Sequence, residues 1–131
     1  MTNHFSSHSK RALLTCDIRL QEIMGQALKE MDFSILCGHR NEIDQNYAFD
    51  NGFSKLRWPL SKHNKLPAEA VDVAPYPINW NDTLRFVELS RIIKAVASGL
   101  MIEIIWGGDW TKFIDMPHWE LVISSPWNEL P

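Results

Sequence analysis

Cysteine is scarce. Cys16 and Cys37 are the only two in 131 residues, too few for a disulfide framework, and they read as free, buried thiols of a reducing compartment. A basic excess is also missing. Thirteen Lys and Arg against sixteen Asp and Glu leave a formal charge of −3 and a sequence pI near 5.9. That balance argues against a dedicated nucleic-acid or anionic-membrane binder. No apolar run approaches the roughly 20 residues that span a bilayer, so membrane insertion is not expected. The opening stretch, Met1 to Lys10, is polar and rich in Ser and His. It lacks the apolar segment of a secretory signal, which implies a chain kept in the cytoplasm unless something else releases it. There is no internal repeat, no low-complexity linker and no His-Glu-x-x-His helix. What remains is ordinary for a globular protein: 45% apolar and 22% charged residues, which exclude wholesale disorder. A chain of this length forms one domain and can bury a core without staples.

Residues 1–16 lack a clear period and read as an N-terminal tail, leaving 17–131 as a single domain. From Asp17, a fitting N-cap, the apolar positions Leu20, Ile23, Met24, Ala27, Leu28 and Met31 recur at helical spacing. Phe33 to Cys37 reads as a short buried strand ended by Gly38. A helix is expected from Glu42 to Asp50, capped by Asn41 and stopped at Gly52. Residues 53–68 read as a long loop. Ala70 to Ala74 follows as a strand ended by Pro75 and Pro77. The next helix runs from Asp82 to Ser98, with Gly99 as its stop. Met101 to Trp106 and His118 to Ile123 read as strands, separated by a turn at Gly107-Gly108-Asp109. This order suits a small α+β domain with a mostly antiparallel central sheet flanked by helices.

Two of the five histidines sit in informative company. A catalytic zinc site needs three protein ligands and one open position, and imidazole and carboxylate suit it. His63, Asp72 and His118 provide that set if the loop and the two strands converge. An Asp inside an apolar strand is costly to bury unpaired, which favours a ligand role for Asp72. Asp115 lies three residues before His118, beyond the stiff Pro117, where it can act as a base toward water. Arg40, just past the strand end at Gly38, offers a fixed, permanently charged group for a developing oxyanion. Cys37 with His39 makes a weaker nucleophile pair, since no third orienting group is evident.

Taken jointly, these residues resemble a known family. Ser61-x-His63, Ala70-Val71-Asp72 and Asp115-x-Pro117-His118-Trp119-Glu120 are similar to the zinc peptidases that comprise D-Ala-D-Ala carboxypeptidases, D-Ala-D-Ala dipeptidases and phage L-alanyl-D-glutamate endopeptidases. Gly38-His39-Arg40, followed by Gln45, Phe49, Gly52 and Ser54-Lys55, resembles the segment carrying that family's substrate-binding arginine. Ala74-Pro75-Tyr76-Pro77-Ile78-Asn79-Trp80 and Trp106-Gly107-Gly108-Asp109-Trp110 resemble its phage-endolysin branch. The likeness covers about residues 17–123. Two departures stand out. The interval between His63 and Asp72 is longer than in the dipeptidases, and Asp115 stands where they carry Glu.

The resemblance implies a fold shared with the hedgehog signalling domain and one Zn2+ per chain on His63, Asp72 and His118. It implies Asp115 as catalytic base and Arg40 as holder of the substrate and oxyanion. Ser61 would orient the His63 loop or the substrate, and Trp119, next to a ligand, is expected to line the cleft. Glu120 is either an acceptor behind a ligand imidazole or a solvated strand residue. Gln45 is expected to pack the second helix against the site. Trp58, Trp80, Trp106 and Trp110 read as core or groove walls. The implied activity is hydrolysis of the L-alanyl-D-glutamate bond in peptidoglycan stem peptides. The alternatives are a D-Ala-D-Ala carboxypeptidase or dipeptidase, and a non-catalytic zinc-binding module. With that activity the expected state is a monomer stored in the cytoplasm until a membrane lesion admits it to the wall. The length leaves no room for a separate wall-binding module.

Overall fold

Capping residues set the helix starts. Ser6 Oγ accepts the Ser9 N–H at 3.1 Å, Asp17 accepts that of Arg19 at 2.9 Å, and Asn41 accepts that of Asp44 at 2.9 Å. In the computed structural model, which describes residues 2–123, these caps open α1 (Ser7–Leu14), α2 (Ile18–Leu28) and α3 (Glu42–Asp50). The other elements are β1 (Phe33–Cys37), β2 (Ala70–Pro75), α4 (Thr83–Gly99), β3 (Ile104–Trp106) and β4 (His118–Leu121). Two short 3-10 turns, Lys62–Asn64 and Gly107–Asp109, complete the order. The expected domain end, 124–131, lies outside the described residues.

The strands form one antiparallel sheet in the order β1-β2-β4-β3. Pleating separates its two faces. Val71, Val73, Trp119 and Leu121 join Leu20, Ile23, Met24 and Ile93 of the helices in the core. Asp72, between Val71 and Val73, must therefore point to the opposite face. Phe33 and Ile35 also face the core, and simple alternation would send Cys37 there with them. A bulge between Ile35 and Cys37 prevents this. Ile35 pairs with Val73 but Cys37 pairs with Asp72, so Cys37 turns to the face that carries Asp72.

Several boundaries shift from those expected. α4 runs through Gly99 and ends on Leu100, and the left-handed residue is Met101, with φ 61°. Ile102 N–H still bonds to Ala97 C=O at 2.9 Å. β3 therefore starts only at Ile104 rather than at Met101. The loop 53–68 contains the turn Lys62–Asn64, which sequence periodicity cannot reveal in three residues.

The largest correction concerns the tail expected over 1–16, whose described residues pack onto the domain. Leu13 and Cys16 belong to the core. Ser9, 1% exposed, accepts the Ile35 N–H with its hydroxyl at 3.0 Å. α1 also lies so close to Gly38 that a β-carbon there would come within 2.4 Å of the Ala12 carbonyl. The helix leaves little periodic trace in the sequence because its eight residues, SHSKRALL, are mostly polar and only Ser9 and Leu13 are buried. Leu13→Ala should lower stability by about 2–5 kcal/mol, the cost of a core leucine. Urea denaturation measures it; a cost near zero would return this segment to the status of a tail.

Candidate active site

Two strands and one turn bring the predicted ligands together, and a third strand adds Cys37. In the sheet, Asp72 of β2 pairs with Cys37 on one side and with His118 of β4 on the other. The row Cys37–Asp72–His118 thus lies across one face of the sheet. His63 reaches it from the turn Lys62–Asn64. Ser61 builds that turn: its hydroxyl accepts the His63 N–H at 3.1 Å, and Asn64 Oδ1 accepts the Ser61 N–H at 3.0 Å. Of the two roles expected for Ser61, this geometry displays the ordering of the His63 loop; the residue also lines the cleft.

Both imidazoles converge on a single oxygen. His63 Nε2 is 3.2 Å and His118 Nδ1 is 3.3 Å from Asp72 Oδ1. The remaining ring nitrogens are already engaged. His63 Nδ1 faces the Gly38 carbonyl at 2.7 Å, and His118 Nε2 faces Glu120 Oε1 at 2.9 Å. Glu120 is thus the acceptor behind His118 rather than a solvated strand residue, and Lys62 Nζ holds its other oxygen at 3.1 Å. An imidazole anchored through one nitrogen presents the lone pair of the other in a fixed direction.

Two of the spacings among these donors match edges of a tetrahedral metal site. A tetrahedron with bonds of about 2.0–2.1 Å has edges of roughly 3.3 Å, close to the observed His–Asp spacings of 3.2 and 3.3 Å. Cys37 is a further donor, noted from sequence only as a weak nucleophile. Its Sγ, a His63 nitrogen and an Asp72 oxygen all lie within 4.8 Å of one another, which makes Cys37, His63 and Asp72 the donor set close enough together to hold a metal ion among the described residues. Only the bulge in β1 reveals it.

The charges respond to this crowding. Burial pushes the His63 pKa down, but the adjacent Asp72 carboxylate outweighs it and raises the value to about 10. Burial likewise opposes ionisation of Asp72, yet His63 and His118 hold its carboxyl far below the usual range. Burial lowers the His118 pKa, and Asp72 with Glu120 turn the net shift upward. Asp115 is raised, first by burial and then by the Asp72 charge.

Arg40 and Asp115 complete the cleft, which encloses about 890 Å³. Arg40 Nη2 lies 3.4 Å from Asp72 Oδ2, and Arg40 Nη1 donates to Gln45 Oε1 at 3.0 Å. Gln45 is fully buried and ties four groups together. Its Oε1 also accepts Asn64 Nδ2, and its Nε2 donates to Ser54 Oγ and the Leu56 carbonyl. Asp115 is placed by Gly107, whose carbonyl accepts the Asp115 N–H at 3.0 Å. A β-carbon on Gly107 would meet the Asp115 carbonyl at 2.3 Å, so the close approach requires glycine.

Trp119 is a correction. It is 1% exposed and stacks on Trp106 in the core, with ring centroids 5.8 Å apart. It cannot share the face of its neighbour His118, because adjacent strand residues point to opposite sides. The aromatic wall at the site is instead Trp110, whose ring centroid lies 5.1 Å from that of His118. Trp80 also lines the cleft.

The sequence profile of the phage L-alanyl-D-glutamate peptidase family matches residues 1–122. This chain belongs to that family. The crystal structure of the L-Ala D-Glu endopeptidase ChiX of Serratia marcescens is also similar, with a TM-score of 0.78 at 25% identity. The match covers 92% of this chain and 90% of that one. The protein is thus an α+β peptidase of the phage endolysin type. Among the described residues, no helix is long and apolar enough to cross a membrane.

The ion pairs give a test without any metal. His63 has a folded pKa of about 10 against a reference of 6.5. Its contribution to stability is complete below pH 6.5 and is lost as pH rises through about 10. The urea midpoint of the metal-free protein should fall across that window. His63→Gln should flatten the fall; an equal fall in both proteins would contradict the pairing.

Proposed function

We propose that this cleft hydrolyses the L-alanyl-D-glutamate amide of peptidoglycan stem peptides with one zinc held by His63, Asp72 and His118. The observation that carries the reading is the convergence of two anchored imidazoles on one Asp72 oxygen, at 3.2 and 3.3 Å. Cys37 competes for the same place, but His118 is preferred because Glu120 fixes its ring and its spacing is that of a tetrahedral edge. Zinc bound there supplies Lewis acidity, which acidifies water and polarises a carbonyl.

The side chains supply the rest. Asp115 takes the proton from the attacking water and returns it to the nitrogen of the departing D-glutamyl residue. Its raised pKa makes it a stronger base than an ordinary aspartate. Arg40 presents its guanidinium to the oxygen that gains negative charge as the carbonyl is attacked. Asp72 and Gln45 hold that guanidinium in place, so little reorganisation is needed when charge develops. Ser61 keeps the His63 turn in place beside them. The enzyme acts as a monomer and meets its substrate once the host membrane is breached.

Digestion of purified peptidoglycan should create new N-terminal D-glutamate and release no D-alanine. Asp115→Asn should retain about one zinc per chain and lose roughly 10²- to 10⁴-fold in rate. His118→Ala should lose the zinc as well, and Cys37→Ser should keep it. Released D-alanine, or full activity in Asp115→Asn, would overturn the assignment.

A further inference from the structure

The cleft lining contains three cations, Arg40, Lys55 and Lys62. Two of them are committed. Arg40 is paired with Asp72 at 3.4 Å and bonded to Gln45. Lys62 is paired with Glu120 at 3.1 Å and donates to the Leu121 carbonyl. Lys55 has no carboxylate partner among the described residues. Its ammonium instead lies 5.1 Å from the ring centroid of Phe113.

The position of Lys55 is set by the framework that sets Arg40. Gln45 Nε2 donates to Ser54 Oγ at 3.0 Å and to the Leu56 carbonyl at 2.6 Å, bracketing Lys55 on both sides. Leu56 N–H closes the bracket on Ser54 Oγ at 3.1 Å. The opposite contact, Phe113, precedes Asp115 by two residues and takes a left-handed backbone, φ 48°. Lys55 therefore stands against the segment that carries the base.

That location has a chemical meaning. Asp115 returns a proton to the leaving nitrogen, so the leaving residue lies along the segment 113–115. The leaving residue is D-glutamate, which has two carboxyl groups. One continues the stem peptide; the other is free and sits on the same residue as the leaving nitrogen. We infer that Lys55 binds this free carboxylate and makes the enzyme selective for an unamidated D-glutamyl residue. The inference rests on the L-alanyl-D-glutamate reading above.

Two synthetic stem peptides, alike except for a carboxylate or a carboxamide at that position, test it. Wild-type kcat/KM should favour the carboxylate peptide by about 10- to 100-fold, the range of a charge-assisted contact. In Lys55→Met the ratio should fall close to one, and in Lys55→Arg most of it should persist. Equal wild-type rates on the two peptides, or a ratio unchanged in Lys55→Met, would overturn the role of Lys55. The wild-type comparison needs no variant to fold. Cleavage of neither peptide would instead overturn the substrate assignment on which the inference depends.

Discussion

Asp72 is the group on which the site depends. It sits on a central strand whose neighbours Val71 and Val73 are core residues. Moving a lone carboxylate out of water there costs several kcal/mol. Its two oxygens divide the compensation. Oδ1 faces both imidazoles, and Oδ2 faces Arg40. The four side chains are therefore one electrostatic unit, in which removing any member leaves another uncompensated. Under the proposed function a divalent cation would sit against the same Asp72 oxygen and the two imidazoles.

The surroundings transmit position to that unit. α1 presses on Gly38, whose carbonyl anchors His63. Gln45 joins α3 to the Arg40 side chain and to the loop ahead of Ser61. Glu120 links His118 to Lys62. Gly107 admits the segment bearing Asp115. Each of these side chains is thus held by a second group. Precision in such a site comes from these supports as much as from the functional residues themselves.

Much of this was legible in the sequence, for identifiable reasons. α2 and α4 carry long apolar stripes, and periodicity is strongest over such lengths. Asp72 announced itself as a charge inside an apolar strand. Other features leave no periodic trace. α1 buries only two residues, Ser9 and Leu13, so its pattern is polar. The turn at Lys62–Asn64 is too short to have a period. The turning of Cys37 toward the site is a property of pairing, since the bulge exists only relative to β2. The place of Trp119 follows from strand alternation: if His118 faces the cleft, Trp119 faces the core.

In the proposed holoenzyme His63, Asp72 and His118, and not Cys37, hold the metal. X-ray absorption at the zinc edge of the zinc-loaded protein reads the ligand atoms directly. That ligand set should give a shell of nitrogen and oxygen alone, at about 2.0–2.1 Å, with the multiple-scattering signature of two imidazoles. A sulfur at about 2.3 Å would place Cys37 in the shell and contradict it.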